Sequence, residues 1–173
     1  LRESEARFRN IFNQTFQLCG ILNLDGTVIA ANQTSLDFIS AREEEVLGRP
    51  FWDTPWWTHS GELQAWLKKA VARAARGKSE RKEVTHRAPD GKIHYFDFSL
   101  KPFRDLSGEI RYLIPESRNI TGRIQAEKAS AAALNQLRLF IDSSPDLCFL
   151  KDLEGRYLIV NTANARFFGR EES

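Results

Sequence analysis

A gapless shift of 129 positions lays Phe8–Glu44 of this chain on Leu137–Ser173, so the end of the sequence restates its beginning. Arg9 falls on Arg138, Leu18 on Leu147, Cys19 on Cys148, Leu24 on Leu153, Gly26 on Gly155, Asn32 on Asn161, Phe38 on Phe167 and Glu43 on Glu172. Self-similarity at a fixed period marks an array of like units, and a domain-sized period gives each unit its own core. The 173 residues therefore read as one complete module and the opening of a second.

With 42% hydrophobic and 28% charged residues the chain is an ordinary globular one. It opens on Leu1 and holds no Met, which reads as a piece of a longer protein. No apolar run approaches the roughly 20 residues of a membrane-crossing helix. The expectation is a cytoplasmic segment without membrane contact, in a parent that could be anchored elsewhere. A net charge of +2 gives no reason to invoke nucleic acid. Cys19 and Cys148 sit in apolar runs at matching repeat positions and read as buried structural thiols.

Leu1–Thr15 is expected to be helical, with Phe8, Ile11 and Phe12 on one face. Two short apolar runs, Gln17–Leu22 and Thr27–Ala31, flank Asp25-Gly26, a strong hairpin signal. Asn32 stands where a side chain caps the next helix, Gln33–Ser40, and Asn161 repeats that cap. A helical turn at Glu43–Leu47 and a proline-broken stretch, Phe51–Trp57, lead to a long helix capped by Ser60 and closed by Gly77. Its apolar side is Leu63, Trp66, Leu67, Ala70, Val71 and Ala74; Lys68, Lys69, Arg73 and Arg76 read as a solvated opposite face. Three longer strands follow as a meander: Ser79–Arg87, Lys92–Pro102 and Glu109–Ile120, the middle one placing Phe96, Phe98 and Leu100 on one face. The fold class is α+β, a five-stranded antiparallel sheet with helices over one face.

Gly122–Ile141 is rich in helix formers. Ile120, Ile124, Ala131, Leu134 and Ile141 make a heptad-like seam interrupted by Glu127 and Arg138, equally consistent with a dimer contact and with packing on its own domain.

The order of elements, Asp25-Gly26, Asn32 at a helix start and Asn119-Ile120-Thr121 closing the last strand together resemble the PAS domain. The stretches Gly48–Trp57 and Ile114–Thr121 resemble a subgroup common in multi-domain bacterial sensor histidine kinases. The resemblance covers Glu3–Thr121 and, as the start of a second PAS, Leu137–Ser173. It divides the chain into a flanking helix (1–15), a PAS domain (16–121), a linker helix (122–141) and an incomplete second PAS (142–173). It implies strand order 2-1-5-4-3, a pocket between sheet and helices, and a sensory or relay role. The signal would leave through Asn119, Ile120 and Thr121. Fold alone does not name a ligand.

Two departures from the family pattern carry expectations. Where the family's closing motif has an Asp able to form an ionic latch, this chain has the uncharged Asn119, which leaves Thr121 to cap the linker helix. The last strand is central in the family's order, yet Pro115 cannot donate a ladder hydrogen bond, so a bulge is expected there.

For the pocket wall the sequence offers Phe38, Trp52, Trp56, Trp57, Trp66, Phe96 and Phe98. The rings either line a site for a small, flat apolar ligand or fill the space themselves. The second reading is preferred, since aromatic clusters are more often core, and unpartnered indole N–H groups inside would argue the other way. Haem-binding relatives take an axial His from the long helix, but Gly61–Arg76 holds none, and His59, His86 and His94 lie elsewhere. The light-sensing branch needs a Cys after Gly48-Arg49, where Pro50-Phe51-Trp52 stands instead. No residue argues for flavin, so neither it nor haem is predicted, and the sequence names no cofactor.

No phosphate-binding loop, metal-spaced His/Cys cluster or nucleophile motif is present, and Glu43-Glu44-Glu45 reads as a solvated face. The segment is expected to be non-catalytic, in a parent that is a histidine kinase or, second, a cyclic-dinucleotide enzyme. Two functions stand: a module relaying a sensed signal through the helix after Thr121 to a following PAS and an output domain, or a ligand-free dimerisation module. The expected partners are a second copy, through Ile124, Ala131, Leu134 and Ile141, and the adjacent domains. The opening hairpin of the second unit is expected to fray or to use its apolar face on a neighbour.

Overall fold

The computed structural model describes residues 2–169, so Leu1 and the Glu43/Glu172 match lie outside the described residues. The chain forms two compact units that divide between Gly122 and Arg123.

The first unit opens with α1 (Arg2–Asn13). The hairpin β1 (Leu18–Leu22) and β2 (Val28–Ala31) turns at Gly26, whose φ of 89° only glycine adopts without strain. Asp25 Oδ1 accepts the Thr27 N–H at 2.9 Å and closes the turn. Asn32 then caps α2 (Gln33–Ile39). Short 3₁₀ turns at Glu43–Glu45 and Phe51–Asp53 replace longer helix across the proline-rich stretch. Next comes α3 (Gly61–Ala74), with the Ser60 hydroxyl accepting the Leu63 N–H.

The meander is β3 (Glu80–Arg87), β4 (Ile93–Arg104) and β5 (Ile110–Asn119). Antiparallel pairing gives the order β2-β1-β5-β4-β3, the one the family resemblance implied. Alternation along the strands decides which face meets the helices. Val84 and His86, then Phe96, Phe98 and Leu100, then Leu113 and Ser117, are buried, and α2 and α3 supply Leu36, Ile39, Leu63, Leu67 and Val71 against them.

Pro115 is accommodated without the expected bulge. Leu18 faces Ser117 and Leu22 faces Leu113 at the same offset, so the register passes Pro115 unchanged and sets Gly20 across from it. The ladder on the β1 side skips Gly20 and Ile21, whereas the β4 side keeps every pair from Phe96 to Phe103, Leu100↔Pro115 included. A Cβ at Gly20 would lie 3.3 Å from Pro115 Cγ and 3.0 Å from the Ala30 carbonyl oxygen, so the missing side chain makes room for the ring. The irregularities fall elsewhere, at Ile21/Leu22 and Phe103/Arg104. Cys19 is likewise half-buried rather than buried, on the sheet face away from the core. Burial and the nearby Glu116 carboxylate push its thiol up to about 11.

Helix α4 (Thr121–Ser143) starts at the end of the first unit, and from Arg123 on it belongs to the second. The rest of the second unit is the hairpin β6 (Phe149–Lys151) and β7 (Tyr157–Val160), followed by α5 (Thr162–Phe167). Its pairing copies the first hairpin: Phe149 faces Val160 as Gly20 faces Ala31, and Lys151 faces Tyr157 as Leu22 faces Val28. The irregularity recurs at the same step, Leu150/Lys151. No helix among the described residues is long and apolar enough to cross a membrane.

Candidate functional site

Most of the aromatic residues singled out from sequence meet in one cluster. Phe96 and Phe98 point inward from β4 and are fully buried, as is Trp57, while Trp56 is nearly so. Phe38 sets its ring edge-on to Phe96 at 5.1 Å, and Trp57 and Trp66 do the same to Phe98 at 5.2 and 5.8 Å. Trp52 stands apart. Its ring covers the hairpin at Gly26, where a Cβ would come within 2.6 Å of it, and the Lys68 ammonium lies 5.6 Å from the ring centre.

Two residues were missed at the centre of this cluster. Phe51 bridges Trp56 at 6.1 Å and Trp57 at 5.5 Å. His86 is 1% exposed and lies 4.8 Å from both Trp57 and Phe96. The β3 alternation that buries Val84 also buries His86, so the period-2 pattern was the available signal. Its Nδ1 is 2.9 Å from the Trp56 carbonyl, which can only accept, so the proton sits on Nδ1 and leaves Nε2 as a lone-pair acceptor. Burial holds this imidazole neutral by lowering its pKa to about 4.

The cluster leaves little space. A cavity of about 30 Å³ lies among Leu22, Val28, Phe51, Trp56, His86 and Ser117. That holds a water or two, whereas ligand pockets run to roughly 300 Å³ and more. Of the seven wall residues expected from sequence, only Trp56 borders it. The two buried indoles differ in their polar groups. Trp56 Nε1–H donates to the Ser35 carbonyl at 3.0 Å, whereas Trp57 Nε1–H is buried without a partner.

The exit from the sheet is built by three residues. Asn119 Oδ1 accepts the Thr121 N–H at 2.9 Å, and the Ile120 N–H donates to the Tyr95 carbonyl at 2.9 Å. The Thr121 hydroxyl oxygen accepts the Tyr95 N–H at 2.9 Å. Thr121 is thus the first helical residue, and its side chain reaches back to β4 instead of capping α4; the side-chain acceptor at the helix start is Asn119. Along α4 no residue is buried, and Leu134 of the expected seam is 64% exposed. Ile124 and Ile141 are half-buried and Ala131 is exposed.

At the helix entrance Asn32, fully buried, uses both ends of its amide. Nδ2–H donates to the Phe12 carbonyl, the Thr15 hydroxyl and the Gln17 carbonyl at 3.2, 2.8 and 2.9 Å. Oδ1 accepts the Cys19 and Ser35 N–H groups at 3.0 and 3.1 Å. Asn161 repeats this: Nδ2–H reaches the Ile141, Ser144 and Asp146 carbonyls, and Oδ1 accepts from the Cys148 and Asn164 N–H groups. A residue read from sequence as a helix cap also ties the preceding helix to the hairpin, twice.

No group of His, Cys, Asp and Glu among the described residues is arranged to hold a metal ion.

Comparison with known proteins agrees with this geometry. Residues 12–125 match a family profile described as the PAS fold. The sensor histidine kinase TmoS of Ectopseudomonas mendocina is 34% identical over 143 residues, covering 82% of this chain and 14% of that protein. Hybrid signal transduction histidine kinase D of Dictyostelium discoideum is 28% identical over 150 residues, covering 86% and 10%. The chain thus spans about one-seventh and one-tenth of these relatives. Among solved structures, the PAS domain of BvgS from Bordetella pertussis superposes with a TM-score of 0.58 at 15% identity, covering 78% of this chain and 98% of that one, a likeness of fold alone. The chain belongs to the PAS family, and its first unit is a PAS domain related to those of sensor histidine kinases.

Proposed function

We propose that this segment is a relay of a sensor histidine kinase, in which the first PAS module passes a change in its sheet into α4 and on to a second PAS unit opening near residue 142. The observation that carries the reading is the link between Tyr95 and Thr121: backbone and side chain of the helix's first residues are bonded to β4 at the point where the chain leaves the sheet. A shift of β4 moves the start of α4 with it, since these bonds leave no slack between them. In this role the segment is cytoplasmic and carries no catalysis of its own, and the kinase chemistry resides in other parts of the parent. Its partners are the adjacent domains and a second copy, paired through the exposed side of α4 with Ile124, Ala131, Leu134 and Ile141 in the seam.

The test is kinase output in the full-length protein. Thr121→Val removes the hydroxyl but keeps the shape, and the expected result is stimulus-independent autophosphorylation with the first unit still folded. An unchanged response overturns the relay route. Ile124→Asp with Leu134→Asp is expected to dissociate the dimer, and a monomeric parent by light scattering overturns the pairing.

A second reading, a small-ligand sensor, is favoured by one observation: the Trp57 N–H is buried in the aromatic cluster without a partner. A ligand retained by the first unit in native mass spectrometry and lost in Trp57→Phe would support it. A bare first unit after gentle purification leaves the relay reading alone.

A further inference from the structure

Each unit joins the helix that enters it to the helix that follows its hairpin by bonds running in opposite directions. In the second unit Asp142, in the last turn of α4, accepts the N–H of Thr162, the first residue of α5, at 3.0 Å and the Thr162 hydroxyl at 3.2 Å. Asn161 Nδ2–H returns a bond to the Ile141 carbonyl of α4 at 3.0 Å. In the first unit Asn13 of α1 accepts the Gln33 N–H of α2 at 3.0 Å, and Asn32 Nδ2–H reaches the Phe12 carbonyl at 3.2 Å. A helix leaves its first four N–H and last four C=O groups without partners inside it, and here the end of one helix and the start of the next are served by each other's side chains. A single bond permits a pivot, whereas two of opposite direction resist rotation of the entering helix as well as its translation.

The first unit shows where such a junction leads. From α2 the Ser35 carbonyl takes the Trp56 indole N–H at 3.0 Å, Phe38 stands edge-on to Phe96 at 5.1 Å, and Leu36 and Ile39 are buried. The entering helix is thus bonded to a helix that carries part of the core. Between the units the junction differs in charge. A carboxylate is disfavoured at the C-terminal end of a helix, where the partial charge is negative, so Asp142 does not serve α4 itself. Its favourable contacts are the first N–H of α5 and the Arg138 guanidinium, 3.8 Å away. At the matching position of the first unit Arg9 pairs with Glu5 at 3.6 Å; the counterpart of Glu5 is Leu134, which leaves Arg138 to Asp142. Hydrogen bonds to an ionised acceptor are the stronger class, so the second junction is the firmer of the two.

We propose that the second unit is driven through this junction, with Asp142 as the positioning residue that turns a rotation of α4 into a displacement of α5. Movement then enters a unit at the helix after its hairpin and not through its interior. A unit driven in this way needs no ligand, which agrees with a first unit whose interior is filled by its own rings. The proposal rests on the relay reading, since α4 has to move for the junction to transmit anything.

The experiment is autophosphorylation of the full-length protein carrying Thr121→Val, alone and combined with Asp142→Ala or Asp142→Asn. Asp142→Ala is expected to bring the raised output of Thr121→Val to within two-fold of the unmutated protein. Asp142→Asn, which installs the residue of the first unit and keeps the acceptor, is expected to leave the output raised. Raised output that survives Asp142→Ala, or Asp142→Asn acting as Asp142→Ala does, overturns the proposal. Hydrogen exchange separates a positioning role from a structural one: Asp142→Ala is expected to unprotect the amides of 162–165 and to leave those of 149–151 and 157–160 unchanged, and a loss across the hairpin overturns the positioning role. If Thr121→Val is silent, the relay out of the first unit fails, and the junction is judged on the response of the full-length protein to its own stimulus. That response is expected to drop at least five-fold in Asp142→Ala and to recover in Asp142→Asn, and a response that survives Asp142→Ala overturns the junction as well.

Discussion

The hairpin β1–β2 and the hairpin β6–β7 have the same register, the same irregular step and the same buried asparagine, yet their inward faces differ in burial. Leu18 and Leu22 are in the core, while Leu147 and Phe149 of the second hairpin are about half exposed. Local sequence is therefore enough to build the hairpin and tie it to the helix before it. Burial comes from elsewhere: Leu22 faces Leu113 on β5, the central strand that the second unit, as described, does not contain.

The pair of asparagines gives the largest test of that difference. Asn32→Ala leaves several buried backbone groups without partners in a packed unit and is expected to cost about 3–5 kcal/mol. Asn161→Ala removes the same kinds of bond from an equally buried asparagine, but in a hairpin whose inward face has no further strand packed beside it among the described residues. It is expected to unprotect the amides of 148–164 to hydrogen exchange and leave the main urea transition unmoved. Equal losses in the two variants would break the contrast.

All three histidines lie in the first unit, so acid should separate the units. Folded His86 titrates at about 4 against about 6.5 when unfolded, so between these values the unfolded chain binds a proton that the folded one refuses. Stability of the first unit is expected to be flat in this respect above pH 6.5 and to fall by roughly 3 kcal/mol on going down to pH 4. His86→Phe should flatten that slope in urea titrations at several pH values, and an unchanged slope would assign it to other groups.

The turn glycines provide the smallest contrast. Gly26 and Gly155 have φ of 89° and 80°, but only at Gly26 does a Cβ collide with a neighbour, the Trp52 ring at 2.6 Å. Gly26→Ala is expected to cost about 2–3 kcal/mol through strain and displacement of that ring, and Gly155→Ala about 1 kcal/mol through backbone strain alone. Thermal unfolding of the two variants, followed by tryptophan fluorescence and by far-UV circular dichroism, compares them directly.

Much of the fold was legible because its signals are local. Asp25-Gly26 set the hairpin, Ser60 and Gly77 bounded α3 to within a turn, and the period-2 pattern of β4 placed Phe96, Phe98 and Leu100 inside. The candidate site was less legible. Trp52 and Trp57 lie five positions apart, yet one covers a hairpin glycine and the other is in the core, because the 3₁₀ turn ends at the extended Thr54 before Pro55 and the chain changes direction between them. Pro115 argued for a bulge by its missing N–H, and only the residue across the sheet, Gly20, removed the need. Thr121 has the chemistry of a cap, but its hydroxyl oxygen accepts the Tyr95 N–H, which the sheet places beside it.

From residue order alone came the repeat, the α+β class, the meander and the aromatic inventory of the first unit, since turn chemistry and side-chain alternation act over a few positions. Which rings touch, that His86 sits neutral among them, how small the cavity is, and which hydroxyl ties α4 to the sheet were determined by packing between segments distant in sequence. Those contacts depend on strand pairing and on the volumes of facing side chains, and a linear pattern carries neither.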